Sequence, residues 1–270
     1  MTSSPSALFW HDRLLSPDQA STREIHPNPF GQGIYETIRV RKGQASFAKH
    51  HFQRMLTSAA HFDMRCPVDW NTFQEALDQL ILAGKAQEGW IRAVLSLESP
   101  STEHTIFWAG AYPRIPYQNL PWDDGVSVNF ASFARDPIDP SVGHKTLSSW
   151  NLHWTRKRAQ KQGHFDCLLR NIHGHLTEGC VSNLFLLRGR ELVTPPLSDG
   201  LLPGITRAII LERSPAFGLE CMEISIRRED LEQCDQVFLS NSLIDIVTVG
   251  PSIPLTRHLR KELFGNPHPS

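Results

Sequence analysis

Three short segments carry groups that could act together on one small molecule. They are Lys145 in Val142-Gly143-His144-Lys145-Thr146-Leu147, Glu178 in Thr177-Glu178-Gly179-Cys180, and the Gly-led stretch Leu202-Pro203-Gly204-Ile205-Thr206-Arg207. A lysine amine forms imines with aldehydes, and burial favours the neutral, nucleophilic amine over the ammonium. A carboxylate at Glu178 can hold an aromatic ring nitrogen protonated, so that the ring accepts electrons. A Pro-Gly pair ahead of an apolar helix leaves the first-turn N–H groups open, and with the helix dipole and the Thr206 hydroxyl they can bind a phosphate. Taken singly, these are a solvated lysine, a turn-capping carboxylate and an ordinary loop-to-helix junction. Taken in this order they are the protein parts that a pyridoxal phosphate site needs.

Other residues could complete such a site. Ser240-Asn241-Ser242 is a polar turn after a short apolar strand and could offer Asn241 and Ser242 as donors to the same phosphate. Arg54 could supply a full positive charge, because a guanidinium grips phosphate with two parallel hydrogen bonds. Asn183 reads first as an amide that fixes the turn after Glu178 and second as a cofactor contact.

Positioning these groups takes two sets of elements. Residues 1–30 show little periodicity, after which the alternation over 34–40 predicts a strand, with Lys42-Gly43 turning the chain into a second strand over 44–48. Apolar residues at helical spacing predict helices over 49–62, with Arg54 near the start and off the core stripe, and over 70–83. Strands are expected over 90–97 and 105–112, giving a small domain at 1–115 with an antiparallel sheet. Pro113, Pro116 and Pro121 mark a linker at 116–122, and 123–270 forms the larger, cofactor-binding domain. In it, strands are expected over 126–133, 165–170, 183–187, 191–193, near Met222, over 237–239 and 244–249. Helices are expected over 146–161, from Ile205, and over 255–264.

Composition narrows the function classes. A chain of 270 residues with 40% hydrophobic residues can bury one large or two medium cores. Its 27 basic and 28 acidic residues nearly cancel, which argues for small-molecule substrates over nucleic acid or a membrane surface. No membrane span or secretory signal is read, so a cytoplasmic location is expected. The 5 cysteines form no CxxC pair and the 13 histidines no ligand spacing, so reduced thiols and no metal are expected.

The segments Glu178-x-Cys180, Asn183-Leu184-Phe185, Leu192-x-Thr194 and Leu202-x-Gly204-Ile205-x-Arg207 together resemble one continuous signature of the class IV aminotransferase family, the fold-type IV pyridoxal phosphate enzymes. The resemblance runs from about Gly31 to Val249. It implies an α+β, two-domain fold with a small N-terminal and a larger C-terminal α/β domain, and a homodimer. It implies Lys145 as the cofactor-linked lysine and proton shuttle, Glu178 as partner of the ring nitrogen, and Arg54, Ile205, Thr206 and Ser242 as the phosphate site. Asn183, Gly204 and Asn241 belong to the same cofactor-binding set.

Within the family, Tyr35-Glu36-Thr37-Ile38-Arg39-Val40 and Ser240-Asn241-Ser242-Leu243 are similar to segments of the 4-amino-4-deoxychorismate lyases, in which the threonine at the Thr37 position assists proton transfer. The implied reaction releases 4-aminobenzoate and pyruvate for folate synthesis. The alternatives are an aminotransferase that passes the amino group of D- or branched-chain amino acids to 2-oxoglutarate and, further off, a non-catalytic ligand-binding member. The chain departs from the family at the Arg-Gly-rich loop, replaced here by residues around Pro100-Ser101-Thr102-Glu103. It also has Ser149 where a tyrosine is common, and Pro27-Asn28-Pro29-Phe30 in place of an Asp-Arg-Gly segment.

Overall fold

Long antiparallel strands in the first half of the chain turn one apolar face onto two helices. The computed structural model describes residues 6–10, 13–15, 31–99, 102–117 and 119–265, so the Pro27–Phe30 segment and Pro100 and Ser101 lie outside the described residues. By contacts the chain divides into one unit of Met1–Pro116 with His144–Ser148 and another of Tyr117–Gly143 with Ser149–Ser270.

The first unit holds β1 (Ala7–Trp10), β2 (Arg13–Leu15), β3 (Gly33–Arg41), β4 (Gln44–Ala45), helices α1 (Ala48–His61) and α2 (Trp70–Ala83), then β5 (Glu88–Leu97) and β6 (Thr105–Tyr112). The strands form one sheet in the order β2-β1-β6-β5-β3-β4, every pair antiparallel. Alternation along β3 and β5 sends Ile34, Ile38, Val40, Ile91, Ala93 and Leu95 into a core with Phe52, Met55, Phe73 and Leu77 of the helices. Asp69 caps α2 by accepting from the Thr72 N–H at 2.8 Å, an interaction that stabilises a helix by about 1 kcal/mol. Phe73 is fully buried, with ring centroids 4.8 Å from Phe52 and 5.8 Å from Phe107.

The second unit runs β7 (Val128–Arg135), α3 (Trp150–Lys161), β8 (Asp166–Asn171), β9 (Leu176–Gly179), β10 (Asn183–Arg188), β11 (Glu191–Thr194), α4 (Ile205–Arg213), β12 (Glu220–Glu223), β13 (Gln236–Asn241), β14 (Asp245–Val249) and α5 (Pro254–Phe264). Its sheet is mixed, since β7 pairs β8 and β11 pairs β12 in parallel while the other pairs are antiparallel. An antiparallel sheet in the first unit and a mixed, helix-covered sheet in the second make an α+β chain.

Four expectations are corrected. The N-terminal stretch contributes two strands, β1 and β2, which are too short to show a period. The strand after Lys42-Gly43 ends at Ala45, because α1 begins at Ala48. The helix expected from Thr146 begins at Trp150, because Thr146 bridges Ile34 at the edge of β3: the Tyr35 N–H donates to the Lys145 carbonyl at 2.9 Å and the Leu147 N–H donates to the Gly33 carbonyl at 2.8 Å. These bonds also move His144–Ser148 from the C-terminal domain, where the sequence placed them, into the first unit. Phe73→Ala should destabilise the protein by about 3–5 kcal/mol, read as a lower urea midpoint at unchanged slope.

Candidate active site

Lys145 is held by backbone rather than by its side chain. β4 pairs only with the last residues of β3, so the Gly33–Tyr35 edge is open, and Lys145–Leu147 occupies it with an antiparallel bridge between Ile34 and Thr146. Close approach there needs Gly33, because a Cβ would lie 2.8 Å from Leu147 Cδ1, the Leu95 carbonyl and Ser96 Cβ. Lys145 is half-buried, and its Nζ stands 4.7 Å from the centre of the Tyr35 ring. Tyr35 and Thr37 share one face of β3. Thr37 lies directly across from Arg92 on β5, whose guanidinium packs diagonally over the Tyr35 ring at 4.3 Å. The Arg92 Nε has no hydrogen-bond partner among the described residues.

The opposite face of β3 carries Glu36, which is buried in line with Ile34 and Ile38. Arg54 reaches it from α1 through Nε at 2.8 Å and Nη2 at 2.6 Å, and His51 Nδ1 approaches the second carboxylate oxygen at 2.6 Å. Burial by itself would push the Glu36 carboxyl up, but the Arg54 charge and the His51 hydrogen bond together outweigh it and hold it at about 2. Burial pushes the His51 imidazole down, so the neutral ring donates from Nδ1 to the carboxylate. Arg54 thus lies off the buried stripe of α1, yet its side chain is turned away from solvent. Its guanidinium is turned under the sheet and oriented by Glu36.

In the second unit, Glu178 at the end of β9 is buried and held at both oxygens, accepting from Arg135 Nη1 at 2.6 Å and from the Leu202 N–H at 3.1 Å. These contacts fix the orientation of the Glu178 carboxylate. Asn183 donates to the Leu202 carbonyl at 2.9 Å. Leu202 is thus held at both its N–H and its carbonyl, and with it the approach to α4. Gly204 is the N-cap, with no side-chain cap, and a helical bond runs from the Ala208 N–H to the Gly204 carbonyl at 3.0 Å. The N–H groups of Ile205, Thr206 and Arg207 precede it and point out of the helix start, where an anion is favoured. A Cβ on Gly204 would overlap the Asn183 carboxamide oxygen. A phosphate, an aromatic nitrogen and an aldehyde carbon each find a matching group in these residues, so the chain fits pyridoxal phosphate.

The structure gathers Lys145, Thr37 and Arg54 in the first unit and Glu178, Asn183, Gly204, Ile205, Thr206, Asn241 and Ser242 in the second. Asn241 serves its own turn: its amide donates to Val181 O at 3.0 Å, and its oxygen accepts from the Leu243 and Ile244 N–H groups at 2.8 and 3.0 Å. Arg92, Arg135, Glu36 and His51 were missed in the sequence. Glu36 and His51 had a signal, a polar residue at an inward position of a strand and another on the apolar stripe of a helix, each of which demands a buried partner. Among the described residues no group of three or more His, Cys, Asp or Glu could hold a metal ion, and no helix is long and apolar enough to cross a membrane.

Comparison with known proteins follows the same lines. Residues 33–250 match the family described as amino-transferase class IV. The branched-chain-amino-acid aminotransferase of Salmonella typhimurium is 26% identical over 267 residues, covering 89% of this chain and 85% of the relative. A candidate 4-amino-4-deoxychorismate lyase from Legionella pneumophila is 27% identical with a TM-score of 0.78, covering 87% of this chain and 91% of that one. The Escherichia coli branched-chain amino acid aminotransferase shares the fold at a TM-score of 0.87 and 21% identity, covering 97% and 94%.

The Glu36 pair sets a pH dependence whose sign is fixed. The carboxyl sits below its ordinary value of 4.5 in the folded chain, so its contribution is present above that value and is lost as pH falls through about 2. Glu36→Gln should cost about 3–5 kcal/mol at neutral pH. The gap to the wild type should narrow as pH falls below 4.5, read by urea titrations of both proteins across that range.

Proposed function

The chain belongs to the class IV aminotransferase family, and we propose that within this family of enzymes it is a pyridoxal phosphate-dependent lyase that converts 4-amino-4-deoxychorismate to 4-aminobenzoate and pyruvate. The observation that carries the reading is Thr37, a hydroxyl on the face of β3 that also bears Tyr35 and, across the strand pair, Arg92. The Ser240-Asn241-Ser242 turn and the likeness to the Legionella protein support it.

Class IV aminotransferases use pyridoxal phosphate, which when bound supplies an electron sink for a carbanion next to the substrate nitrogen. The residues of this chain divide the remaining tasks. The first turn of α4 would hold the phosphate by backbone N–H groups and the Thr206 hydroxyl, with Ser242 and Arg54 in support. Glu178, oriented by Arg135 and the Leu202 N–H, would keep the ring nitrogen protonated. Lys145 Nζ is the amine suited to hold the cofactor aldehyde, and it would take the proton from the carbon next to the substrate nitrogen. The C–O bond to the enolpyruvyl group then breaks and the carbocycle becomes aromatic, with Thr37 or Lys145 returning a proton to the departing group. Arg92, a cation beside Tyr35 and Thr37, is the group suited to a substrate carboxylate.

A second reading, an aminotransferase acting on branched-chain or D-amino acids, is favoured by the names of the curated relatives. It uses the same groups up to proton removal and differs in where the proton is returned. A homodimer is part of either reading. Trp150 and Trp154, exposed one turn apart on α3, offer an apolar face for a second copy.

Two incubations separate the readings: aminodeoxychorismate alone, and leucine or D-alanine with 2-oxoglutarate. 4-Aminobenzoate with pyruvate is expected from the first, and turnover confined to the second would assign the aminotransferase. Lys145→Ala should lose the visible absorbance of the holoenzyme and its activity. Thr37→Val should lower kcat by about 10²–10⁴, as expected for loss of a general acid, with little change in cofactor binding.

A further inference from the structure

His144, the residue before Lys145, is built into α1. Its ring stacks on His61 with centroids 4.1 Å apart and planes 21° from parallel. Phe62 meets it edge-on at 5.0 Å, and Nδ1 lies 2.9 Å from the Ser58 hydroxyl. Ser58, His61 and Phe62 all belong to the last turn of α1 and its C-cap, so one ring is gripped on a face, on an edge and at a nitrogen by three residues of a single helix end. The segment that follows is otherwise held by the two backbone hydrogen bonds to β3 and the Ser148 hydroxyl bond to Gly31 O at 3.0 Å.

We propose that His144 is a positioning residue for Lys145: its clamped ring fixes the lysine-bearing strand on the β3 edge, and charging the stacked histidine pair loosens it. Two stacked imidazoles cannot both be protonated without repulsion at short range. The groups that face His144 from α1 are Ser58, His61 and Phe62, and Lys145 is the basic neighbour on its own segment. Burial and then the His61 charge push the His144 imidazole below its ordinary value of 6.5. The clamped form therefore binds fewer protons than the released one, and it is favoured at high pH and weakened as pH falls below that value.

The inference rests on reading Lys145 as the cofactor lysine, and the test keeps the two apart by using full-length protein without cofactor. Amide hydrogen exchange at Tyr35, whose N–H donates to the Lys145 carbonyl, and at Leu147 reports whether the strand is seated. At pH 8, His144→Ala should speed exchange at both amides by about tenfold, the scale of one lost ring contact and hydrogen bond. His144→Phe, which keeps the ring, should stay nearer to the wild type. Between pH 8 and 5.5, after correction for intrinsic rates, the wild type should lose protection at these amides, and His61→Phe should flatten that dependence. Unchanged exchange in His144→Ala, or a pH response that persists in His61→Phe, overturns the proposal. Should His144→Ala fail to fold, the phenylalanine variants alone decide. Whether Lys145 is the reactive amine is read separately, by borohydride reduction of the holoenzyme and peptide mapping. A negative result there leaves the clamp standing and removes its purpose.

Discussion

The backbone pairing of Lys145–Leu147 with the open edge of β3 is the constraint on which the rest of the first unit's chemistry depends. Two hydrogen bonds, Tyr35 N–H to Lys145 O and Leu147 N–H to Gly33 O, put the lysine at a fixed register beside a strand whose two faces do different work. Period-two alternation sends Glu36 to the helix side and Tyr35 and Thr37 to the other. A slip of one residue would exchange those faces, placing a carboxylate beside the lysine amine and burying a threonine in the core. The glycine at position 33 admits the extra strand, and the nine-residue pairing of β3 with β5 fixes the register in which it is admitted.

The buried Glu36, His51 and Arg54 cluster gains its sense from the same strand. Three polar groups within an apolar core are costly unless each is satisfied, and here one carboxylate takes both an arginine fork and an imidazole N–H. The Arg54 charge and the His51 hydrogen bond outweigh burial and push the Glu36 carboxyl down. Arg54 emerges as a guanidinium with a set plane and a partly cancelled charge. On the proposed reading, this suits a group that must orient a phosphate without drawing it away from the backbone N–H groups of a helix start.

Much of the scaffold could be read directly. Alternation over β3, helical spacing in α1 and α2, and the Pro-Gly start of α4 each depend on neighbours within a few residues, and each lies where the local pattern put it. What the sequence concealed depends on distant partners. Nothing near Thr146 marks a strand, because its partner is Ile34, more than a hundred positions away. Nothing in the polar run that follows separates residues 146–149 from the helix, since Ala159 is the only buried residue of α3 and gives no inward stripe to mark its start. Arg92 and Arg135 were hidden in the same way, each being ordinary in its own strand and informative only beside Tyr35 and Glu178.

Reaction type, on the proposed reading, is written in a different part of the chain from cofactor use. Glu178, Asn183 and the start of α4 form a connected frame, since Leu202, two residues before Gly204, is bonded through its N–H to the first and through its carbonyl to the second. That frame would serve any reaction that needs a protonated ring and an anchored phosphate, so its presence cannot separate a lyase from an aminotransferase. The distinction depends on which carbon receives the returning proton, and therefore on which donors stand beside the lysine. In this chain the β3 face whose Tyr35 ring lies 4.7 Å from the Lys145 amine also carries Thr37, which strand register sets opposite Arg92. A short, β-branched hydroxyl has few rotamers and reaches only what lies close to its own strand. On the proposed reading, proton delivery from Thr37 would be tied to the seating of Lys145 on the same β3 strand, and the lysine's register would bear on reaction type as well as on reactivity.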